Sequence, residues 1–417
     1  MITPPFVLSV AAPAAESKHG NCMAKHHVES VSATSFYALP PIPSTLNPVP
    51  YLRMDHTRDP RYAAAGVDSA KAESGLARLR TWVEKTFSLH PTSRPYLPLG
   101  YFANVIQLDG FPAGIAISTD GVGTKLLVAE MLGKYDTVGI DCMAMNVNDL
   151  LCVGATPVSF VDYVAVEELR PEVLEELGKG LFRGAELARV SISGGEIAQL
   201  KEMMRGVRDG SGLDLAGTAI GTVPLDRVIV GQDVQPGDVV IGLASSGIHS
   251  NGLTLARRVF FTEARLAVDS YLQEFGRTVG EELLEPTHIY VPEVTAMFVA
   301  GLRLKALIHL TGDGFFNLTR TATPIGYMIH NLPPTPPIFA LLQEVGKLSD
   351  AEMFQVYNMG VGFCVVVAEP DAEQVLQIAA AHGTRAWRIG TTVASPERTI
   401  TIEPRRLQSQ GQQFVAL

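Results

Sequence analysis

Hydrophobic and polar positions along the chain form short blocks whose period switches repeatedly between that of a strand and that of a helix. GIAIST at 114–119 and VSFVDYVAV at 158–166 are β-rich runs, and the mostly apolar DCMAMNVNDLLCVG between them reads as a buried helix. PEVLEELGKGLFRGAELARV at 171–190 opens with Pro171 at a first helical position and sets Leu174, Leu177, Leu181 and Ala185 on one stripe, which predicts an amphipathic helix. SIS at 191–193 and DLAGTAIGTV at 214–223 are the next strands. Further on come strand VVIGLAS, a Gly/Ser/His/Asn loop, helix LTLARRVF, strand GVGFCVVV, helix EPDAEQVLQIAAAHG and strand RAWRIGTTVA. Interleaved strands and helices of this kind predict an α/β (α+β) protein with sheets flanked by helices.

The turn-rich passage PLDRVIVGQDVQPGD at 224–238 divides the pattern, and a boundary is expected near 224–236. This places one domain over 58–226 and a second over 227–417, with a rigid proline-rich loop at 333–337 inside the second. A chain of 417 residues is long enough for two or three domains at roughly 150 residues each. The first 57 residues differ in kind. Pro4, Pro5, Pro13, Pro40, Pro41, Pro43, Pro48 and Pro50 interrupt every possible element, and a flexible tail or a strap over the folded body is expected.

Composition narrows the function. Hydrophobic content of 47% with 18% charged residues is that of a globular chain, and a formal net charge of −10 argues against a nucleic-acid or anionic-membrane surface. No apolar run reaches the ~18 residues of a membrane span, and PFVLSVAAPAA near the start lacks the basic residues of a secretory signal. Cys22, Cys142, Cys152 and Cys364 show no metal-ligand spacing, and the last three sit among apolar residues as buried thiols of a reducing, cytoplasmic compartment would.

Chemistry concentrates in STDGVGTK at 118–125 and NVNDLLCVGA at 146–155. Asp120 ends a strand beside Gly121 and Gly123, where a carboxylate can reach Mg²⁺ on nucleotide phosphates and Lys125 can neutralise their oxygens. Alternatively, Asp120 caps the next helix and Lys125 lies on the surface. Asn148 and Asp149 lie within an apolar helix, where unpaired burial would cost on the order of 1 to 3 kcal/mol each. They either bond internally to a neighbouring strand or form a metal-facing edge with Asp149 as ligand, and Asp141 and Asn146 crowd the same element. Glu196 follows a strand and Gly194–Gly195 and is expected in a loop that can approach phosphate. His249, flanked by Ser245, Ser246, Ser250 and Asn251, can act as a base or hold an anionic oxygen, while His249 or Ser250 fits a helix N-cap equally well.

These segments, followed in order by DLAGTAIGTV, GDVVIGLASSGIHSNGLTLAR, EPTHIYV, HLTGDGFFNLTR and YNMGVGFCVVV, resemble the aminoimidazole ribonucleotide synthetase (phosphoribosylformylglycinamidine cyclo-ligase) family from about Tyr62 to about Pro404. The resemblance implies two α/β domains with mixed sheets, a homodimer whose N-terminal sheets join in a barrel, and ATP and Mg²⁺ as cofactors acting on a small ribonucleotide. It further implies Asp120, Asp149 and Glu196 as metal ligands and His249, Lys125 and Asn148 as catalytic groups. ATP and substrate would be bound by Asp68, Gly121, Gly123, Thr124, Ser250, Asn251, Thr311, Gly312, Gly314 and Arg320.

Three departures from the family pattern stand out. GGEIAQLKEMM replaces the usual GGETAEMP, and Asp313 in HLTGDG stands where the family shows a glycine, so its carboxylate must turn away from a phosphate or share a metal. PLGYFANVIQL at 98–108 replaces a glycine-rich segment, leaving closure over ATP to Tyr101, Phe102 and Asn104. The activity implied is ATP-dependent ring closure of formylglycinamidine ribonucleotide to aminoimidazole ribonucleotide. Two other functions compete with it: another ATP-using superfamily member of the thiamin-phosphate kinase or selenophosphate synthetase type, and a silent nucleotide-binding paralogue.

Overall fold

The computed structural model describes residues 69–417, with side chains from residue 75 onward. The N-terminal extension, Cys22 and Asp68 lie outside the described residues. Helix α1 (Ser69–Val83) precedes strands β1 (Ser93–Pro95), β2 (Asn104–Leu108) and β3 (Ala113–Gly121). Then come α2 (Lys125–Leu132), α3 (Val138–Leu151), β4 (Thr156–Val166), α4 (Pro171–Ala188), β5 (Ser191–Gln199) and β6 (Leu213–Pro224). The six strands form a mixed sheet in the order β1-β2-β3-β6-β4-β5, in which only β4 and β5 run parallel. That pair is joined through α4, as parallel neighbours require a crossover.

Strand alternation gives this sheet two unlike faces. Ala116, Phe160, Leu215 and Ala219 are buried under α3, whereas Ile115, Ile117, Val161 and Ile220 are half-buried and Tyr163 is exposed on the other face. Helix α3 sits so close to its neighbours that side chains must be absent at the contacts. A Cβ on Gly217 would overlap the Phe160 ring and come 3.1 Å from Cys142 Sγ, and one on Gly139 would overlap the backbone of α4. This close packing explains why α3 is buried nearly all round, as its mostly apolar run predicts.

The second half holds an eight-stranded mixed sheet. Its strands are β7 (Val239–Ala244), β10 (Ala306–His309), β11 (Gly326–Ile329), β12 (Val361–Val367), β13 (Ala386–Val393), β14 (Ile400–Ile402), β15 (Leu407–Gln410) and β16 (Gln413–Ala416). The order is β10-β12-β7-β13-β11-β14-β15-β16, with β11 and β14 parallel. A small hairpin, β8 (Tyr271–Leu272) with β9 (Arg277–Thr278), stands apart. Helix α5 (Leu253–Arg257) continues as a π-helical turn, Arg258–Glu263. Helices α6 (Val279–Leu283), α7 (Val291–Val299), α8 (Pro337–Gly346), α9 (Asp350–Val356) and α10 (Glu369–Ala381) complete the layer. Pro337 opens α8, so the proline-rich loop leads directly into a helix. Every residue of β12 is buried, and Cys142, Cys152 and Cys364 are free buried thiols, each raised in pKa chiefly by burial.

Candidate active site

Asp120, at the end of β3, accepts a hydrogen bond from the Gly121 amide at 2.8 Å. More than a third of Asp120 is accessible, yet the protein around it and the nearby Asp149 carboxylate push its pKa up to about 6, against the lowering pull of the Gly121 amide and His309. Asp149, in the last turn of α3, meets His309 Nδ1 from the end of β10 at 2.9 Å. Two carboxylates crowded at the junction of the halves repel each other, and a divalent cation would relieve that repulsion. This donor set fits Mg²⁺, which is commonly held by one or two carboxylates together with substrate phosphates. Among the described residues no group of three or more His, Cys, Asp or Glu side chains is arranged to hold a metal.

Glu196 does not join them. It lies inside β5, not in a loop, and is exposed. Its register partner is Tyr163, which pairs with Ala216, which pairs with Gly121. Asp120 belongs to the adjacent row, with Gly217 and Asp162. Neighbouring rows project to opposite faces, so Glu196 points away from Asp120. On Asp120's own face stands Asp162, whose carboxylate a Cβ on Gly195 would contact at 2.6 Å and whose pKa is raised by burial. A charged residue inside the apolar run VSFVDYVAV was the signal for it.

Lys125 departs from its expected place on phosphate. Its ammonium is fully buried, 2.8 Å from Asp141 Oδ1 and 2.5 Å from the Glu285 carbonyl. Asp141 also accepts from the Thr287 amide at 2.8 Å, from its hydroxyl at 2.6 Å, and from Ser250 at 3.4 Å. Ser250 is thereby committed inside the protein, with Thr287 at 3.3 Å, not turned to a ligand. Asn148, expected to act in catalysis, is a clamp. Its amide donates to the His288 carbonyl at 2.9 Å and accepts from the Tyr290 amide at 3.0 Å. Thr124 likewise bonds Thr254 at 2.8 Å. Lys125, Asp141, Asn148 and Asp149 are bonded to the second half of the molecule and Asn146 to the Asp120 and Cys142 carbonyls, which is why an apolar helix tolerates polar groups.

His249 adopts a left-handed backbone, φ 69°, and is 3% exposed. Its Nε2 accepts the Ser246 amide at 3.2 Å, so the ring proton resides on Nδ1, which has no protein partner. Burial holds its pKa well below the usual value, and the neighbouring His309, Lys125 and His288 add to this. With its basicity lowered and Nε2 already accepting from Ser246, His249 fits the second of its two expected roles, a hydrogen-bond donor to an oxygen, better than that of a base. Neither it nor Ser250 caps α5, because the N-cap is Gly252 in a left-handed turn. The ring packs against Gly362, where a Cβ would meet His249 Cε1 and overlap the Tyr290 hydroxyl.

The HLTGDG segment runs from His309 past Thr311 and Gly312, both half-buried, to Gly314 at φ 51°. Thr311 donates to Asn317 at 3.4 Å, and a Cβ on Gly312 would lie 3.3 Å from Asn251 Nδ2. Asn251 Oδ1 is buried without a protein partner. The Arg320 guanidinium, expected on a phosphate, is paired with the Asp313 carboxylate at 2.8 Å and keeps 31% of its side chain exposed. On the opposite side of the junction Gly123, at φ 71°, permits the tight turn between β3 and α2. Asp120, Asp149, His309, Asn251 and Gly312 thus share one region, and Glu196 lies outside it.

Residues 103–223 match the N-terminal domain of AIR synthase related proteins, and residues 235–403 match their C-terminal domain. The phosphoribosylformylglycinamidine cyclo-ligase of Methanothermobacter thermautotrophicus is 48% identical over 329 residues, covering 79% of this chain and 93% of the relative. That of Methanocaldococcus jannaschii is 45% identical over 337 residues, 81% of this chain and 93% of the relative. A thiamine-monophosphate kinase from Stenotrophomonas maltophilia K279a shares the fold at TM-score 0.51 and 19% identity, over 76% of this chain and 92% of its own. The hydrogenase maturation protein HypE in complex with ATP does so at 0.51 and 18%, over 75% and 86%. Identity that low speaks to architecture only, whereas identity near one half across nearly the whole of a relative speaks to kinship. The chain belongs to the phosphoribosylformylglycinamidine cyclo-ligase family.

Proposed function

We propose that this protein closes the imidazole ring of 5-aminoimidazole ribonucleotide from formylglycinamidine ribonucleotide, consuming ATP and releasing ADP and phosphate. The observation that carries the reading is the Asp120–Asp149 pair at the junction of the two halves, in a chain so similar to cyclo-ligases. The chemical obstacle is that an amide oxygen leaves poorly. Transfer of the terminal phosphoryl group of ATP to that oxygen gives an iminophosphate; the amidine nitrogen of the same molecule then attacks the activated carbon, and the oxygen departs with inorganic phosphate. Holding both reacting ends together makes the second step intramolecular.

In this reading Asp120 and Asp149 hold Mg²⁺, which when bound screens the charge of the phosphate oxygens. His309 fixes the direction of Asp149. His249 presents its Nδ1–H to a substrate oxygen and orients it without taking a proton, because burial lowers its basicity and Nε2 is already bonded to the Ser246 amide. Asn251, Thr311 and Gly312 line the same region, and Gly121, Gly123 and Gly314 shape its turns. Asn148, Lys125 and Asp141 keep the halves in register.

The open face of the first sheet, with Ile117, Val161, Ile220 and Tyr163, supports a homodimer in which two such faces pack together. Among the described residues no helix is long and apolar enough to cross a membrane, and the free buried thiols suit a cytoplasmic enzyme. The test is direct. Purified protein given formylglycinamidine ribonucleotide, ATP and Mg²⁺ releases phosphate and forms the aminoimidazole in equal amounts; a folded protein that forms none overturns the reading.

A further inference from the structure

Two features of the sequence find no role in the account above: Asp313 in place of a glycine, and Tyr101–Phe102 in place of a glycine-rich stretch. Both converge on Arg320. Asp313 Oδ2 lies 2.8 Å from Arg320 Nη2, and the guanidinium carbon stands 5.1 Å from the centre of the Phe102 ring. The backbone on both sides of Arg320 is held by the guanidinium of Arg398, which donates to the carbonyls of Thr321 at 2.6 Å, Thr319 at 3.0 Å, Ala322 at 3.1 Å and Thr323 at 3.1 Å. Arg320 is therefore fixed from below, stacked on one side and ion-paired on another, with 31% of its side chain open to solvent. Its charge also acts on the Cys152 thiol, three residues beyond Asp149, so it stands at the same end of α3 as the carboxylate pair.

We infer that Arg320 anchors the phosphate monoester of the ribonucleotide and that Asp313 is a built-in occupant of that anchor, a carboxylate which the phosphate displaces on binding. This rests on the cyclo-ligase reading. A carboxylate and a phosphate present the same paired oxygens to a guanidinium fork, so one substitutes for the other. The polyphosphate of ATP arrives with its own cation at Asp120 and Asp149, whereas a monoester dianion needs a cation from the protein. Lys125 is buried and committed to Asp141, while Arg320 is half-open. Phe102 holds the guanidinium plane while one anion replaces the other. Asp313 then acts as an affinity-setting residue, weakening capture of the ribonucleotide relative to an enzyme with glycine there.

The test is calorimetric titration of formylglycinamidine ribonucleotide, of ribose 5-phosphate and of Mg·ATP into the full-length protein and the variants Asp313→Asn, Asp313→Gly, Arg320→Ala, Arg320→Lys and Asp313→Asn/Arg320→Ala. Circular dichroism establishes that each is folded, and Arg320→Lys serves should Arg320→Ala fail to fold. Asp313→Asn and Asp313→Gly are expected to tighten both monoesters by about two- to fivefold. Arg320→Ala should loosen them by about tenfold or more, and Asp313→Asn should have no effect in that background. Mg·ATP affinity stays within about twofold throughout. Weaker or unchanged monoester binding in Asp313→Asn overturns the inference, as does a shift confined to Mg·ATP, which would put an ATP phosphate on Arg320. Ribose 5-phosphate following the expected order in a protein that makes no aminoimidazole would leave the anchor standing and remove the cyclo-ligase reading.

Discussion

His309 Nδ1 stands 2.9 Å from Asp149 Oδ1, and this bond crosses from the end of β10 in the second sheet to the last turn of α3 in the first half. The imidazole is fully buried while the carboxylate keeps a small exposed edge, so the ring sets the direction of an oxygen that can still meet a ligand. Groups behind a metal-binding carboxylate typically contribute 10- to 100-fold, roughly, in metal affinity. His309→Ala is expected to raise the Mg²⁺ concentration for half-maximal phosphate release by about that factor, with much of the rate recovered at saturating Mg²⁺. His309→Asn, whose amide can occupy the place of Nδ1, should restore part of the affinity. A loss that Mg²⁺ does not relieve in either variant would show that His309 acts elsewhere.

Lys125 and Asp141 predict a stability effect, not a binding effect. Both side chains are fully buried and 2.8 Å apart. Removing one partner leaves the other charged and unsolvated, at a cost of about 3 to 5 kcal/mol. Lys125→Met should lower the denaturant midpoint accordingly, while the KM for ATP of the fraction that remains folded changes little. An unchanged midpoint with a large rise in KM for ATP would return Lys125 to the phosphate.

His249 gives the stability a pH dependence of known sign. Burial depresses its folded-state pKa well below the ordinary 6.5. Between these two values the unfolded chain binds a proton that the folded one refuses, so stability falls as pH drops below about 6.5 and is fully present above it. His249→Asn should flatten that part of the profile, measured as the denaturant midpoint between pH 7.5 and pH 5. A parent profile of equal slope to the variant would contradict the burial of a neutral ring.

Much of the architecture was legible from period alone. Pro171 opens α4 as its position implies, α3 is buried as its apolar run implies, and Asp120 ends a strand before a tight turn. The site was harder to read because polar residues in an apolar helix announce that they have partners without naming them. Asn148 could face a metal or a backbone, and the backbone that claims it belongs to a segment about 140 residues away. Lys125 follows a nucleotide-type turn, but only the fold reveals that Asp141 stands one helix away to capture it. Glu196 failed for a different reason. Two glycines suggested a loop, whereas β5 runs through them, and in a strand a single position decides the face.

The central claim is that two carboxylates, not three, make the Mg²⁺ site. It is tested most directly by the Mg²⁺ dependence of ribonucleotide-driven phosphate release in Asp120→Asn, Asp149→Asn and Glu196→Gln. Asp120→Asn and Asp149→Asn are expected to lose about 100-fold or more in rate at a fixed, low Mg²⁺ concentration, and Glu196→Gln to stay within about threefold of the parent. A Glu196→Gln protein as impaired as the other two would contradict it, and would bring a carboxylate from the opposite face of the sheet into the site.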